Sequence, residues 1–273
     1  MAEPLRILAI GAHPDDCDYR VGGMAVKYTH LGHVVKFVSL TNGNAGHFST
    51  GGGPLARRRY EEAQCSAANA GVEYQLLDIS DAELMPTLEN RWALVRIIRD
   101  FRPDLVLTNR PNDYHPDHRY TAQLVADAAY TVTIPNVQSL TPHLQHNPVI
   151  AYWEDDFRRP YPFSPDVAIS IDEVADVKID MLHCHESQFY EWIPYNQNRL
   201  DEVPADSAER RAILAQWRLA AARADANDYR DLLIRLYGPE RGAAIRFVEA
   251  LEFCEYGGRV TAEVFARLFP FFD

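Results

Sequence analysis

Short apolar runs alternate with longer amphipathic segments through the first two thirds of the chain, a pattern that places β-strands between helices. Residues 5–10 read as a buried strand and residues 21–28 as the helix that follows. A second strand is expected at 33–40, a helix at 55–70, a third strand at 74–77 and a helix at 92–101. Residues 103–109 form a further strand, 120–128 an amphipathic helix, and 149–153 and 167–171 two more strands after a proline-rich link. From 207 onward the chain is mostly helical and polar, ending in the aromatic segment 265–272. The alternation predicts an α/β, Rossmann-like fold, with a mostly parallel sheet covered by helices on both faces. It is read as one domain over 1–273, with a motif-bearing core at about 5–190 and a helical C-terminal part at about 200–273. The loop 41–53 ends in three glycines, Gly51, Gly52 and Gly53, expected to lack regular structure and to be either free to move over a ligand or a plain solvent-exposed connector.

Two tetrapeptides carry the chemistry. His13-Pro14-Asp15-Asp16 follows the first strand, and His115-Pro116-Asp117-His118 follows the strand at 103–109; each precedes a helix. In open α/β sheets the loops at the carboxyl ends of strands bind ligands. A dinucleotide site would fill such a loop with glycines that let backbone N–H groups approach phosphate. Adjacent carboxylates would repel phosphate and attract a cation instead, which favours a metal site over a nucleotide site. Two imidazoles and one carboxylate leave a coordination position open, as a catalytic zinc requires; iron, cobalt and manganese stay open on ligand type.

Composition narrows the partners. A net charge of −12 argues against nucleic acid and against docking on an anionic membrane. No apolar stretch approaches the ~20 residues of a membrane span, and Met1-Ala2-Glu3-Pro4 runs into the first strand without a signal peptide. Cys17, Cys65, Cys184 and Cys254 show no paired spacing, so reduced thiols and a cytoplasmic location are expected. Ligation by Cys17 is disfavoured because a one-residue step from Asp16 turns its side chain away. Trp153, Trp192, Tyr190 and Tyr195 suit either sugar stacking or the core.

The two tetrapeptides, with Arg59 and Glu62 in an Arg-x-x-Glu-Ala stretch and Lys178 leading to His185-Glu186-Ser187-Gln188, resemble the PIG-L or LmbE-like de-N-acetylases over about residues 6–190. That resemblance implies His13, Asp16 and His118 as zinc ligands and Asp15 as general base. It implies that His115 stabilises the oxyanion or protonates the leaving nitrogen. Arg59, Asp113 and His185 are the substrate-binding candidates; Asp113 stands where some relatives place a transition-state-stabilising Tyr. On their own, Arg59 and Glu62 also fit an ion pair on a solvated helix face, and His185 a histidine bonded to backbone. Asp117 suits a helix N-cap or a partner to one imidazole.

The expected activity is metal-dependent removal of an acetyl group from the nitrogen of a small amino-sugar compound. The alternatives are an amidase of a thiol conjugate or other amide, and a sugar-binding regulatory protein without turnover. The expected partner is an N-acetylated sugar, and a homo-oligomer stays open.

Overall fold

The computed structural model describes residues 3–272; Met1 and Ala2, read above as leading into the first strand, lie outside them. One seven-stranded sheet has the order β3-β2-β1-β4-β5-β7-β6. Its strands are β1 (Arg6–Gly11), β2 (Val34–Thr41), β3 (Glu73–Ile79), β4 (Leu105–Thr108), β5 (Val149–Trp153), β6 (Val167–Ser170) and β7 (Val248–Phe253). Strands β1 to β5 pair in parallel, while β7 runs antiparallel to both β5 and β6. The α/β architecture, with a mostly parallel sheet, is as the apolar pattern predicts.

Alternate residues of β1 serve opposite faces. Ile7 and Ala9 join the core under helices α1 (Asp16–His30), α2 (Gly52–Ala70) and α5 (Ala175–Cys184), and Leu8 and Ile10 join the core under α3 (Leu88–Phe101) and α4 (Pro116–Ala128). Both faces are therefore apolar, which is why the strand reads as a continuous hydrophobic run rather than an alternating one. Beyond α5 come a π-helical turn (Ser187–Trp192), α6 (Ile193–Asn196), α7 (Ser207–Asp228), α8 (Arg230–Tyr237), α9 (Pro239–Ala244) and α10 (Ala262–Leu268). The C-terminal part is mostly helical, but it also supplies β7, which the sequence pattern does not reveal. Among the described residues no helix is long and apolar enough to cross a membrane.

The position of β7 depends on a buried charge. Helix α1 is broken at Val21 (φ −135°, ψ 17°), which frees N–H groups in mid-helix. The carboxylate of Glu249 on β7 accepts from the N–H groups of Gly23 at 2.8 Å and Met24 at 2.6 Å, and pairs with Lys178 of α5 at 2.7 Å. One buried side chain thus caps the second half of α1 and ties the sheet to two helices.

Two expectations are corrected. Gly52 and Gly53 form the first turn of α2 rather than a loose tract, and the loop before them is bonded to its neighbours: the Gly46 carbonyl accepts from Gln188 at 3.1 Å, and His47 meets Glu191 at 2.7 Å. The cysteines are not all reduced, because Cys65 of α2 and Cys184 of α5 form a disulfide. The two lie 119 residues apart, so only helix packing brings them together, and the cysteines no longer speak for a reducing compartment. Cys17 and Cys254 are free thiols.

Replacing Glu249 by Ala would leave Lys178 without its buried partner and two N–H groups uncapped. Glu249→Ala is expected to lose roughly 3 kcal/mol of stability in denaturant titration, with Glu249→Gln losing less. An unchanged transition midpoint would show that the pair carries no weight.

Candidate metal centre and cavity

Strand β1 is flanked by β2 on one side and β4 on the other, so the connections leave it in opposite directions. Ligands bind at such a switch point, outside the carboxyl ends of the strands. The first tetrapeptide leaves β1 here and the second lies in the connection from β4 to α4, which brings them face to face.

Gly11 makes the first loop feasible. A Cβ there would lie 2.7 Å from that of Asp16, so only glycine lets the Asp16 side chain fold back under the strand end. Asp16 Oδ2 then accepts from the N–H groups of Ala12 (2.8 Å) and His13 (2.9 Å). Its Oδ1 lies 3.5 Å from His118 Nε2, its Oδ2 3.7 Å from His13 Nδ1, and the two imidazole nitrogens are 3.1 Å apart. The expected ligands His13, Asp16 and His118 are thus brought together. His115 is exposed beside them, its ring centroid 4.9 Å from that of His13 and 4.7 Å from that of His118.

The outer nitrogens of both rings face carboxylates. His118 Nδ1 lies 2.9 Å from Asp113 Oδ2; His13 Nε2 lies 3.1 Å from Asp81 Oδ1 and 3.3 Å from Asp117 Oδ2. Where the outer nitrogens carry the ring protons, the inner nitrogens of His13 and His118 are left as acceptors 3.1 Å apart, a gap that a proton on His13 or a bound cation would fill. Burial pushes the His13 imidazole down, but hydrogen bonds with Asp117, Asp16 and Asp81 outweigh it and hold it well above its ordinary value. Burial likewise pushes Asp81 up, and the bond to His13 brings it to about 2. Two donor groupings lie close enough to share one ion: His13 with His115 and His118, which adjoins Asp16, and His13 with Asp81 and Asp117, which uses the outer nitrogen. Asp117 is fully buried and already accepts from the Ala82 N–H at 2.7 Å, so the inner grouping, with histidines supported from behind by carboxylates, fits a divalent transition-metal ion better.

Asp15 turns away from the facing nitrogens and accepts from Arg59 Nη2 at 2.7 Å. Arg59 reaches it across Gly43, where a Cβ would lie 2.6 Å from the guanidinium. Arg59 and Glu62 are both buried, which overturns the solvated-face reading; Glu62 accepts from the N–H and hydroxyl of Ser187 and so fixes the π-helical turn. Asp15, Asp16, His13, His115, His118 and Arg59 all line one cavity of about 390 Å³. Asp113 stands behind His118. His185 is fully enclosed, 3.3 Å from Asp18, so neither of these two substrate candidates lines the cavity. Asp117 makes no cap to its own helix, and its carboxylate turns to His13 and Ala82. Cys17 is buried in the core, where burial and the charges of Asp18 and Asp16 push its thiol up, away from a thiolate ligand. Burial and the neighbouring imidazoles of His13 and His118 hold His115 below its ordinary value.

Sequence reasoning missed Asp81 of the lining and gave Gln188 no role beyond its place in the motif. Asp81 sits just past the carboxyl end of β3, so the strand-end rule that singled out the tetrapeptides extends to it.

Comparison with known proteins decides the family. The profile described as PIG-L, GlcNAc-PI de-N-acetylase, matches residues 8–129, which hold both tetrapeptides. The diacetylchitobiose deacetylase of Thermococcus kodakarensis is 34% identical over 207 residues, covering 70% of this chain and 74% of that protein. The chain belongs to the PIG-L family. Among solved structures in its likeness is the N,N'-diacetylchitobiose deacetylase of Pyrococcus horikoshii in complex with an inhibitor, with a TM-score of 0.68, 26% identity and coverage of 91% of this chain and 83% of that one. The 4-carboxy-2-hydroxymuconate hydratase of Pseudomonas putida shares the fold, with a TM-score of 0.74, 20% identity and coverage of 94% and 98%.

The contact between Asp113 and His118 predicts an effect on metal affinity without loss of a ligand. Asp113→Ala is expected to weaken divalent-ion binding by roughly 10- to 100-fold, measured by competition with a chelating dye. Unaltered affinity would place Asp113 outside the metal's support.

Proposed function

We propose that this protein is a zinc-dependent hydrolase that removes the acetyl group from the nitrogen of an amino-sugar-containing small molecule. The observation that carries the reading is a carboxylate, Asp15, fixed by Arg59 at the edge of a cavity whose floor is the convergent set His13, Asp16 and His118. Zinc bound by those three residues would polarise an amide carbonyl and lower the pKa of a water toward ~7. Asp15 adjoins a ligand in sequence but faces the cavity, so it can take the proton of the attacking water and pass it to the departing amine as the C–N bond breaks. The hydrogen bond from Arg59 would keep that carboxylate from swinging toward a bound cation. His115, exposed beside the imidazole pair and lining the same cavity, is placed to donate to the carbonyl oxygen as negative charge develops there.

The charge of the cavity supports a neutral substrate. Asp15, Asp16 and Asp81 all line it, while its one arginine is already paired. A polycarboxylate, such as the name of the hydratase relative describes, would meet repulsion that an N-acetylated sugar would not. The deacetylase relatives point to the same class of substrate.

Hydrolysis of N-acetylglucosamine derivatives, followed by release of the free amine, tests the reading. The zinc-loaded protein is expected to turn them over. Asp15→Asn should keep its metal and lose on the order of 10²-fold or more in kcat. His115→Ala should also keep its metal, with kcat falling by roughly 10²-fold. Loss of metal in the His115 variant would exchange its role with that of a ligand. Full activity without metal, or turnover only of an unsaturated polycarboxylate, would end the proposal.

A further inference from the structure

The stretch His185-Glu186-Ser187-Gln188 holds one residue whose chemistry the metal centre does not use. Gln188 is only 4% exposed, yet it lines the cavity with His13, Asp15 and Arg59. Its Nε2 donates to the Gly46 carbonyl at 3.1 Å and lies 3.4 Å from the Ser187 hydroxyl oxygen, whose own proton goes to Glu62. This bonding fixes which end of the side-chain amide is which: turned over, Oε1 would face the Gly46 carbonyl, oxygen against oxygen. Among the described residues Oε1 has no hydrogen-bond partner, and it is not one of the unpartnered atoms sealed from solvent. A side chain that is almost wholly buried thus turns an unengaged carbonyl oxygen to the cavity.

The neighbours of Gln188 set which part of a substrate meets that oxygen. Gly46 lies against Arg59 and Asp81: a Cβ there would stand 3.5 Å from Arg59 Nη1 and 3.2 Å from Asp81 Oδ2, and Arg59 in turn holds Asp15. On the deacetylase reading the nitrogen is the atom that Asp15 protonates, so it comes to this side of the cavity, with the carbonyl oxygen toward the imidazoles. A secondary amide is planar and trans, with its N–H directed opposite to its C=O. The N–H therefore points to the wall built by Gly46 and Gln188 and needs an acceptor there. Other groups of this part of the lining are engaged. Asp15 is bonded to Arg59, Asp81 to His13, and the Gly46 carbonyl already accepts from Gln188. Trp192 also lines the cavity, but an indole offers only a donor; of the other aromatic residues weighed for sugar stacking, Trp153 and Tyr190 belong to the core.

We propose that Gln188 selects amides over esters, by accepting through Oε1 the N–H of the bond to be cleaved. The proposal rests on the deacetylase reading and defines the substrate at the reacting bond as a secondary amide, whatever molecule carries it. An ester puts an oxygen lone pair where the amide has its N–H, against Oε1, and a tertiary amide puts an alkyl group there. Gln188 also contributes as the bond breaks. The electron pair of the C–N bond stays with nitrogen, which takes the proton that Asp15 received from the attacking water. The N–H held by Gln188 then belongs to a group gaining positive charge, so its hydrogen bond strengthens along the reaction. Glu62 and Ser187 act one step behind, by fixing the turn from which Gln188 projects.

The test pairs the methyl glycosides of N-acetylglucosamine and of 2-O-acetylglucose, in which oxygen replaces the reacting N–H, on the zinc-loaded protein. Gln188→Met keeps the length of the side chain and removes the acceptor. It is expected to cut kcat/KM for the amide roughly 10- to 100-fold and that for the ester by less than about threefold. Equal losses on both substrates, the mark of a merely structural side chain, would overturn the proposal, as would no loss on the amide. Calorimetric binding to metal-loaded Asp15→Asn supplies a readout independent of turnover. The amide should bind about tenfold more tightly than the ester, and adding Gln188→Met should abolish that preference. A preference that survives the second substitution, or its absence from the start, would overturn the selection. A Gln188-dependent preference without hydrolysis of the amide by the wild type would keep the selection and remove the deacetylase reading; hydrolysis of the amide with no Gln188-dependent preference would do the reverse.

Discussion

An imidazole held between carboxylates governs the centre of this molecule. His13 has Asp16 on its inner side and Asp81 and Asp117 on its outer side, and its ring is buried enough that such a concentration of negative charge needs positive charge at its core. Buried carboxylates without a partnering imidazolium or metal cation would protonate or open the loop. The surrounding architecture supplies the conditions for holding them: Gly11 lets Asp16 fold under the strand, the Ala12 and His13 N–H groups bind its oxygen, and the Ala82 N–H anchors Asp117. Each device satisfies a lone pair that would otherwise be stranded, so the site is specified by hydrogen bonds to backbone before any ion enters.

The same logic extends outward through α1. Its first turn starts at Asp16, so the helix orientation decides where the carboxylate points. The break at Val21 and the cap from Glu249 fix how the second half of α1 leaves that turn, and Lys178 links the cap to α5. Helix α5 leads into the π-helical turn, which Glu62 of α2 holds by two hydrogen bonds, and α2 in turn carries Arg59 to Asp15. The Cys65–Cys184 bridge joins these two helices again. A π-turn in a functional wall is a common device, because the extra residue swings side chains off the ordinary helical spacing. Here it places Gln188 and Trp192 along one cavity.

What the sequence made legible follows from locality. Strands β1 to β6 and the two tetrapeptides are continuous stretches whose apolar period and strand-end position are visible one segment at a time. The convergence of His13, Asp16 and His118 needed only the further inference that β1 and β4 are neighbours, which parallel winding supplies. Strand β7 escaped because Val248-Glu249-Ala250-Leu251 places a charge in mid-run, and that charge is buried for a reason three elements away. Arg59 and Glu62 looked like a surface pair because helical spacing says nothing of which face is covered. Asp113 and His185 carried motif positions without cavity positions; one supports an imidazole and the other sits wholly in the interior. The disulfide and the pairing of His47 with Glu191 share a cause for their invisibility: each joins residues more than a hundred positions apart that only the fold brings together.

The division of the cavity into two walls has a chemical consequence. The donors that would manage the amide come from loops after β1 and β4, braced by backbone bonds that leave little room for change. The facing wall comes from the loop after β2 and from the π-helical turn, joined by side chains such as Glu191, Arg58 and His47 that touch none of the metal-facing donors. Changes in the second wall can therefore alter what is attached to the reacting group without disturbing the geometry that acts on it. On the proposed reading, binding energy gathered on that wall from a remote part of a substrate would also be available to orient the amide against Asp15. Loops on a fixed α/β scaffold thus let one fold carry different activities, as in the deacetylase and the hydratase whose fold this chain shares.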